Sequence, residues 1–248
     1  MAIKKPGRWP FLPLPAGDGP VLLCLPYSGV GASSYRNWPR DLDGTLIRAL
    51  QPPGRENRFR EPRPATHREF SESLTGFLTE LGDRPYGFFA HCGAVPYALD
   101  TAFHLQDRGL PLPRRIIASS WGPPDEGLYG PLNFVDLDRH DFVAEVRSMA
   151  RKMGGEIPPE MAAMGAEILR HDQVVQRRYV YPAGRTVPVP VTVVGWSDDE
   201  IVPPDQVLHG WDRVAESDYR TLTGTHFAFL DCPPGLRSLL ATALTPAG

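Results

Sequence analysis

The sequence predicts an α/β fold, a mostly parallel sheet with helices on both faces. Short apolar runs bounded by Pro or Gly alternate with segments of helical period along most of the chain. The runs are apolar throughout, as in strands covered on both sides. At 248 residues, 42% of them hydrophobic, the chain can bury one continuous core, and it reads as a single domain over 1–248.

VLLCLPY (21–27) is the first buried strand, closed by Pro26. SGVGASS follows as a loop, and SSYRNWPRDL as the start of a helix capped by Ser33 or Ser34. TLIRALQPPG reads as a strand ending at Pro52, Pro53 and Gly54. Over 66–82, Phe70, Leu74, Phe77, Leu78 and Leu81 fall at helical spacing, with Gly82 as the stop. YGFFAHC is a strand running directly into a helix, GAVPYALDTAFHLQDRG, closed by Gly109. RRIIASS, PVTVVG and YRTLTG supply the remaining strands.

From Trp121 to Val187 the alternation breaks. Two helical patterns, DFVAEVRSMARKMGG and PPEMAAMGAEILRHDQVVQRRYV, occur there without a strand. A helical insertion of that length reads as a lid over roughly 123–187, hinged at Gly154, Gly155, Pro158 and Pro159. An ordinary pair of packed helices is the alternative. Trp121, Tyr129, Phe134, Phe142, Met149, Met153, Met161 and Met164 give this region apolar surface for a greasy ligand, or simply a helix core.

Composition narrows the partners. A formal net charge of −3 gives no electrostatic reason to expect nucleic acid or an anionic membrane. The start, MAIKKPGRWPFLPLPAGDG, is basic, but Pro and Gly interrupt any apolar signal core. No stretch reaches the roughly 18 apolar residues of a membrane span. Three cysteines, Cys24, Cys92 and Cys232, are too few for a disulfide framework, so a reducing cytoplasm is the expected location. No metal-ligand spacing, no GxGxxG after a strand and no P-loop occur, so neither a metal nor an organic cofactor is expected.

FFAHCGAVPYA places Cys92 between a strand and a helix, with Ala90 and Ala94 two residues to either side. The nucleophile elbow G-x-S-x-G has this form, because its strained turn leaves no room for large side chains at the outer positions. Here Ala replaces both glycines and Cys replaces Ser. A helix N-terminus behind the sulfur favours the thiolate. Taken alone, a Cys after an apolar strand reads equally as inert core.

The downstream segments decide. PVTVVG is followed by WSDDE, which puts Asp198 and Asp199 at the carboxyl end of a buried strand, where sites in open α/β sheets lie. LTGTHFAFL sets His226 in a turn. Nucleophile, acid, histidine is the chain order of α/β-hydrolases. Of the two acids Asp199 is favoured, standing two before the Ile201–Val202 pair that anchors the loop; Asp198 is then a loop or cap residue. His91 reads as a support of the elbow through hydrogen bonding, Cys24 as core, and Cys232 has no assigned role.

With these residues in place, the chain resembles the type II thioesterases that serve polyketide and non-ribosomal peptide assembly lines. LCLPYSGVGASSYRNW is similar to that family's apolar strand followed by F-P-x-A-G-G-S-A, Tyr and Trp. LQPPGRENRFREP resembles its V-Q-x-P-G-R-E-x-R segment. RKMGGEIPPEM and LRHDQVVQRRYVYP resemble its G-G-x-P-x-E and L-R-A-D-F stretches, and GWSDDEIVPPDQV and GTHFAFL its acid and histidine loops, with the acid at Asp199. The resemblance implies an α/β-hydrolase fold with a helical lid insertion, an acyl or peptidyl carrier protein as partner, and an acyl thioester as substrate. It implies no bound cofactor and an oxyanion hole from the backbone N–H groups of Ser28 and Gly93. SGVG also reads as a plain turn, and QPPGREN as scaffold or as a solvated loop in which Arg55 and Glu56 pair locally.

The departure from the family lies in Cys92, where it usually carries Ser, and in Ala94 for an outer Gly. A cysteine acyl-enzyme is itself a thioester, so loading from phosphopantetheine is close to thermoneutral and the acyl group stays activated. Hydrolytic release is what the family resemblance favours. Dieckmann-type cyclisation, transfer to another acceptor, and a catalytically silent module that binds carrier proteins are the alternatives.

Overall fold

All five residues of β1 (Val21–Leu25) are buried, because the strand lies in the middle of a sheet covered on both sides. The computed structural model describes residues 9–244; the basic start over 1–8 lies outside them. The other strands are β2 (Asp41–Leu42), β3 (Thr45–Ala49), β4 (Tyr86–His91), β5 (Ile116–Ser119), β6 (Val191–Trp196) and β7 (Ser217–Leu222). They form one seven-stranded sheet in the order β2-β3-β1-β4-β5-β6-β7. Only the β2–β3 pair is antiparallel, as the α/β-hydrolase expectation requires of a mostly parallel sheet.

The period-2 geometry of the strands sends alternate residues to two cores. Val21, Leu23 and Leu25 of β1, with Phe88 and Ala90 of β4, pack against α1 (His67–Glu80) and α2 (Val95–Asp107) through Phe70, Leu74, Val95 and Leu99. Leu22, Cys24 and Phe89 face the other way, onto Trp38, Phe229 and the helix α6 (Pro234–Thr242) through Leu236 and Leu240. Each fully buried aliphatic or aromatic side chain contributes on the order of 1.5–3 kcal/mol. Helix α1 starts as its sequence dictates. Thr66 accepts from the Glu69 backbone N–H at 3.1 Å, and the Glu69 carboxylate accepts from the Ala65 N–H at 2.8 Å.

Between β5 and β6 the chain forms α3 (Phe142–Lys152), capped by Asp141, and α4 (Pro159–Gln176), and no strand. Phe142, Ala166 and Leu169 give this pair a small core of its own. Met161 and Met164 stand 58% and 56% exposed, so they serve neither that core nor a pocket. A four-residue helix, α5 (Pro204–Val207), follows β6.

The structure departs from the sequence reading in the segment after β1. SSYRNWPRDL forms a single 3₁₀ turn, Ala32–Tyr35, instead of a helix, and neither Ser33 nor Ser34 caps it. Pro39 disfavours helix at the residue before it. Tyr35 and Trp38 are held as core anchors, donating to the carbonyls of Leu25 at 2.5 Å and Phe229 at 2.8 Å. Ser33 is engaged elsewhere, its Oγ donating to Glu56 at 2.6 Å. Asp41–Leu42 then pairs with β3 through a two-residue turn, Asp43–Gly44, with both φ angles positive (49° and 83°). That is the geometry an Asp-Gly pair favours. Strand β7 begins at Ser217, two residues before the expected start.

Leu74→Ala, which cuts a fully buried side chain out of the α1 core, is expected to cost about 2–5 kcal/mol, and Met161→Ala on the exposed face of α4 less than about 0.5 kcal/mol. Urea unfolding midpoints of the two variants against wild type check this pair.

Candidate active site

The strand order places β3 and β4 on opposite sides of β1, so a crevice opens at the carboxyl ends of β1 and β4. Two of the expected site segments end there. Ser28 follows β1, and Cys92 follows β4 without an intervening residue. Cys92 has φ +50°, in the left-handed region that a non-glycine residue occupies only under constraint, and it begins a 3₁₀ turn, Cys92–Ala94, that leads into α2. Gly93 shows why no larger residue fits. A Cβ built on it would collide with Ser28 Oγ and stand 2.9 Å from Gln176 Oε1. Ser28, Cys92, Gly93 and His226 line one pocket of about 660 Å³, mouth included, whose walls also contain Trp121, Met149 and Leu169.

The acid and histidine come from the far side of the sheet. Asp199 is buried in the turn after β6 and accepts four hydrogen bonds. The backbone N–H groups of Ile201 and Val202 donate to its Oδ1, each at 2.9 Å. Its Oδ2 accepts from Ser120 Oγ at 2.7 Å and from His226 Nδ1 at 2.8 Å. Burial works against its charge, but these bonds and the His226 charge hold its carboxyl below the usual range. Asp198 is exposed and takes a bond from Ser197 Oγ instead.

His226 is buried, which opposes a charge on its ring. The Asp199 carboxylate on its Nδ1 and the neighbouring Cys92 sulfur outweigh burial and raise it to about 9. Its Nε2 also stands 3.3 Å from Nε2 of His91. His91 is fully buried, stacks on Phe229 at 3.9 Å, and has its Nδ1 2.9 Å from Ser119 Oγ. Burial and then the charge of His226 push it well below its ordinary value. Of two neighbouring histidines, His226 is therefore much the better proton acceptor. The other thiols are core groups. Burial pushes Cys24 well up, and pushes Cys232 up to about 11 against the lowering effect of Arg237.

Three contributors are given no role at the site by the sequence reading. Ser120, a non-glycine residue at φ +50°, holds Asp199 from the end of β5. Arg55 pairs with Asp172 on α4 and not with Glu56, as the local-pairing alternative would have it. Its Nη2 lies 2.7 Å from both carboxylate oxygens, and its Nη1 donates to the carbonyls of Tyr27, at 3.1 Å, and Val30. Asp172 Oδ2 also accepts from the Gly29 N–H at 2.7 Å. Helix α4 is thus fastened to the loop that carries Ser28. Glu56 is used in the opposite direction, accepting from Ser33 and Gln51. The third is Gln176, whose amide lies against Gly93. Among the described residues no group of three His, Cys, Asp or Glu side chains could hold a metal ion, and no helix is long and apolar enough to cross a membrane.

Comparison with known proteins bears on this arrangement. Residues 20–242 match the family model of the thioesterase domain. The chain is 28% identical over 232 residues to a probable cadicidin biosynthesis thioesterase of Streptomyces griseus, across 92% of this chain; it spans 63% of that relative's length. It is similar to the solved RedJ thioesterase from the prodiginine biosynthetic pathway in Streptomyces coelicolor, with 27% identity and a TM-score of 0.74 over 94% of this chain and 96% of that one. The type II thioesterase BorB from the borrelidin biosynthetic cluster shares the fold, with 22% identity and a TM-score of 0.77 over 98% and 100% of the two chains.

Two outcomes follow from the geometry. Asp199→Asn removes the charge that faces His226 Nδ1, so the His226 titration midpoint should fall from about 9, read by histidine ring NMR shifts. Because that midpoint lies above the unfolded value of about 6.5, the stability His226 contributes is complete below about pH 6.5 and is lost as pH rises through about 9. Asp172→Ala strands the buried Arg55 charge and should cost about 3–5 kcal/mol in urea unfolding.

Proposed function

The chain belongs to the thioesterase family, whose members are hydrolases of the α/β fold, and from that premise we propose that it releases acyl groups from carrier-protein phosphopantetheine thioesters through Cys92. One observation carries the reading. A cysteine on a left-handed turn at the crevice shares one pocket with a histidine that is itself held by a buried, four-times-bonded aspartate. In this reading they are nucleophile, base and orienting acid.

In the first half-reaction His226 takes the Cys92 thiol proton, and the sulfur attacks the thioester carbonyl. The ability of His226 to hold a proton up to about pH 9 makes the imidazolium a stable product of that transfer. The backbone N–H groups of Ser28 and Gly93 receive the developing oxyanion, with the turn into α2 behind Gly93 adding its dipole. The C–S bond to phosphopantetheine then breaks, and the departing thiolate takes the proton from His226. The product is an acyl-Cys92 thioester. In the second half-reaction His226 takes a proton from water, the oxygen attacks the same carbonyl, and collapse returns a carboxylic acid and the Cys92 thiol. Asp199 holds His226 in the required tautomer through both steps. These residues supply nucleophile, base and oxyanion donors, so the proposed chemistry draws on no resident metal or organic cofactor.

Intact-protein mass spectrometry with an acyl-pantetheine thioester tests the reading. Wild type should show a transient acyl adduct and release free acid, and turnover should survive dialysis against EDTA. Cys92→Ala should show no adduct. His226→Ala should lose more than about 10³-fold in kcat/KM and Asp199→Asn less than His226→Ala, because binding and the oxyanion donors persist. An adduct on Cys92→Ala would overturn the assignment. A product lighter than the free acid by one water would place ring closure in place of hydrolysis.

A further inference from the structure

The wall of the pocket contains polar atoms that the protein itself leaves without partners. Gln176 is 1% exposed and Gln173 3% exposed, one turn apart at the end of α4. Among the described residues neither Nε2 nor Oε1 of Gln176 has a hydrogen-bond partner, and Oε1 of Gln173 has none. Both side chains line the pocket that contains Cys92, and so does Trp121, whose buried Nε1 is likewise unpartnered. Buried polar groups are nearly always satisfied, and an orphaned one costs its full desolvation penalty. An apolar residue at this point would leave no polar atom of the protein unpartnered. The amide is also well placed, with Oε1 2.9 Å from where a Cβ on Gly93 would stand, beside the nucleophile and the proposed oxyanion donor.

We propose that Gln176 is a specificity-determining residue that reads a secondary amide of the substrate within a few bonds of the reacting thioester. This rests on the reading that Cys92 accepts the acyl group. The chemistry of the free atoms selects the ligand class. A carboxamide offers donor and acceptor side by side, and a –CO–NH– group of the ligand answers both. A ketone answers only the donor, a carboxylate sets oxygen against Oε1, and a hydrocarbon answers none. A site built to hydrogen-bond its substrate discriminates strongly against the analogue that lacks the group. The amide has two possible sources: an N-acylated aminoacyl group on the acyl side, or the pantetheine arm on the thiol side.

Four thioesters separate them. N-butanoylglycyl and heptanoyl groups, matched in length, are each joined to N-acetylcysteamine and to pentanethiol, and kcat/KM is measured for wild type and Gln176→Met. The expected result is a wild-type preference of at least about tenfold for the amide on one side of the thioester, abolished in Gln176→Met. The side on which the preference disappears identifies the source. In the absence of substrate Gln176→Met should melt at a higher temperature than wild type, because an unsatisfied amide has been replaced by an apolar chain of similar length; a structural role would lower it. Equal preference in both proteins, or a lower melting temperature in the variant, overturns the proposal. Acylation of Cys92 at equal rates by all four thioesters defeats this inference alone, whereas acylation by none of them defeats the reading on which it rests.

Discussion

The buried Asp172 carboxylate is the joint on which the site depends. It receives a bidentate bond from Arg55 and a backbone bond from Gly29, while Arg55 reaches on to the carbonyls of Tyr27 and Val30. Three pieces of chain that are far apart in sequence meet there: the turn after β1, the segment after β3, and the last turns of α4. Ser28 is thereby fixed relative to Gly93, and Gln176 is set against Gly93 from above. Two opposite charges at a buried position are tolerated because each makes several hydrogen bonds, and such a pair defines geometry better than it adds stability. Had Arg55 paired with its neighbour Glu56, α4 would lack this attachment to the turn after β1.

The same economy separates chemically identical side chains. His91 and His226 are both buried and stand 3.3 Å apart, yet one is pushed down and the other up. The difference lies in partners. His226 has a carboxylate and a thiol; His91 has the Ser119 hydroxyl, the face of Phe229 and the charge of His226 itself. The two Nε2 atoms face each other across that gap. Ser119 in turn accepts from Trp196 Nε1 at 3.0 Å, so the polar chain ends on an indole rather than in solvent. Cys24 and Cys232, in contrast, have only burial acting strongly on them, and it raises both.

Much of this was legible in the sequence because it is local. The apolar runs became strands, and Phe70, Leu74, Phe77 and Leu78 fell on the buried face of α1. The choice of Asp199 over Asp198 rested on the Ile201–Val202 pair, and the backbone N–H groups of those two residues are what hold the carboxylate. What was misread was also local. The Asp43–Gly44 pair is a hairpin signal, but it lies unassigned between a helix start suggested by Ser33 and Ser34, whose neighbours Tyr35 and Trp38 are core anchors, and the strand that begins at Thr45. What could not be read is long-range. Arg55 and Asp172 are separated by 117 positions and Ser120 and Asp199 by 79, and no periodicity joins them. Gln173 and Gln176 lie in a stretch that reads simply as polar helix. Their significance comes from what packs around them and fails to satisfy them.

The distances along the chain have a further consequence, for how the molecule comes into being. The contacts that assemble the site join residues 135 positions apart between His91 and His226, and 143 apart between Gly29 and Asp172. Closing such loops comes at an entropic cost before any of the contacts repays it, so chains dominated by them fold slowly. On a ribosome the segment with Cys92 emerges long before the turn with His226, and until that turn has docked the cysteine is a thiol without a base. No N-terminal fragment contains a partial version of this chemistry. The proposed nucleophile and its proposed base are brought together only by contacts that span more than half of the chain.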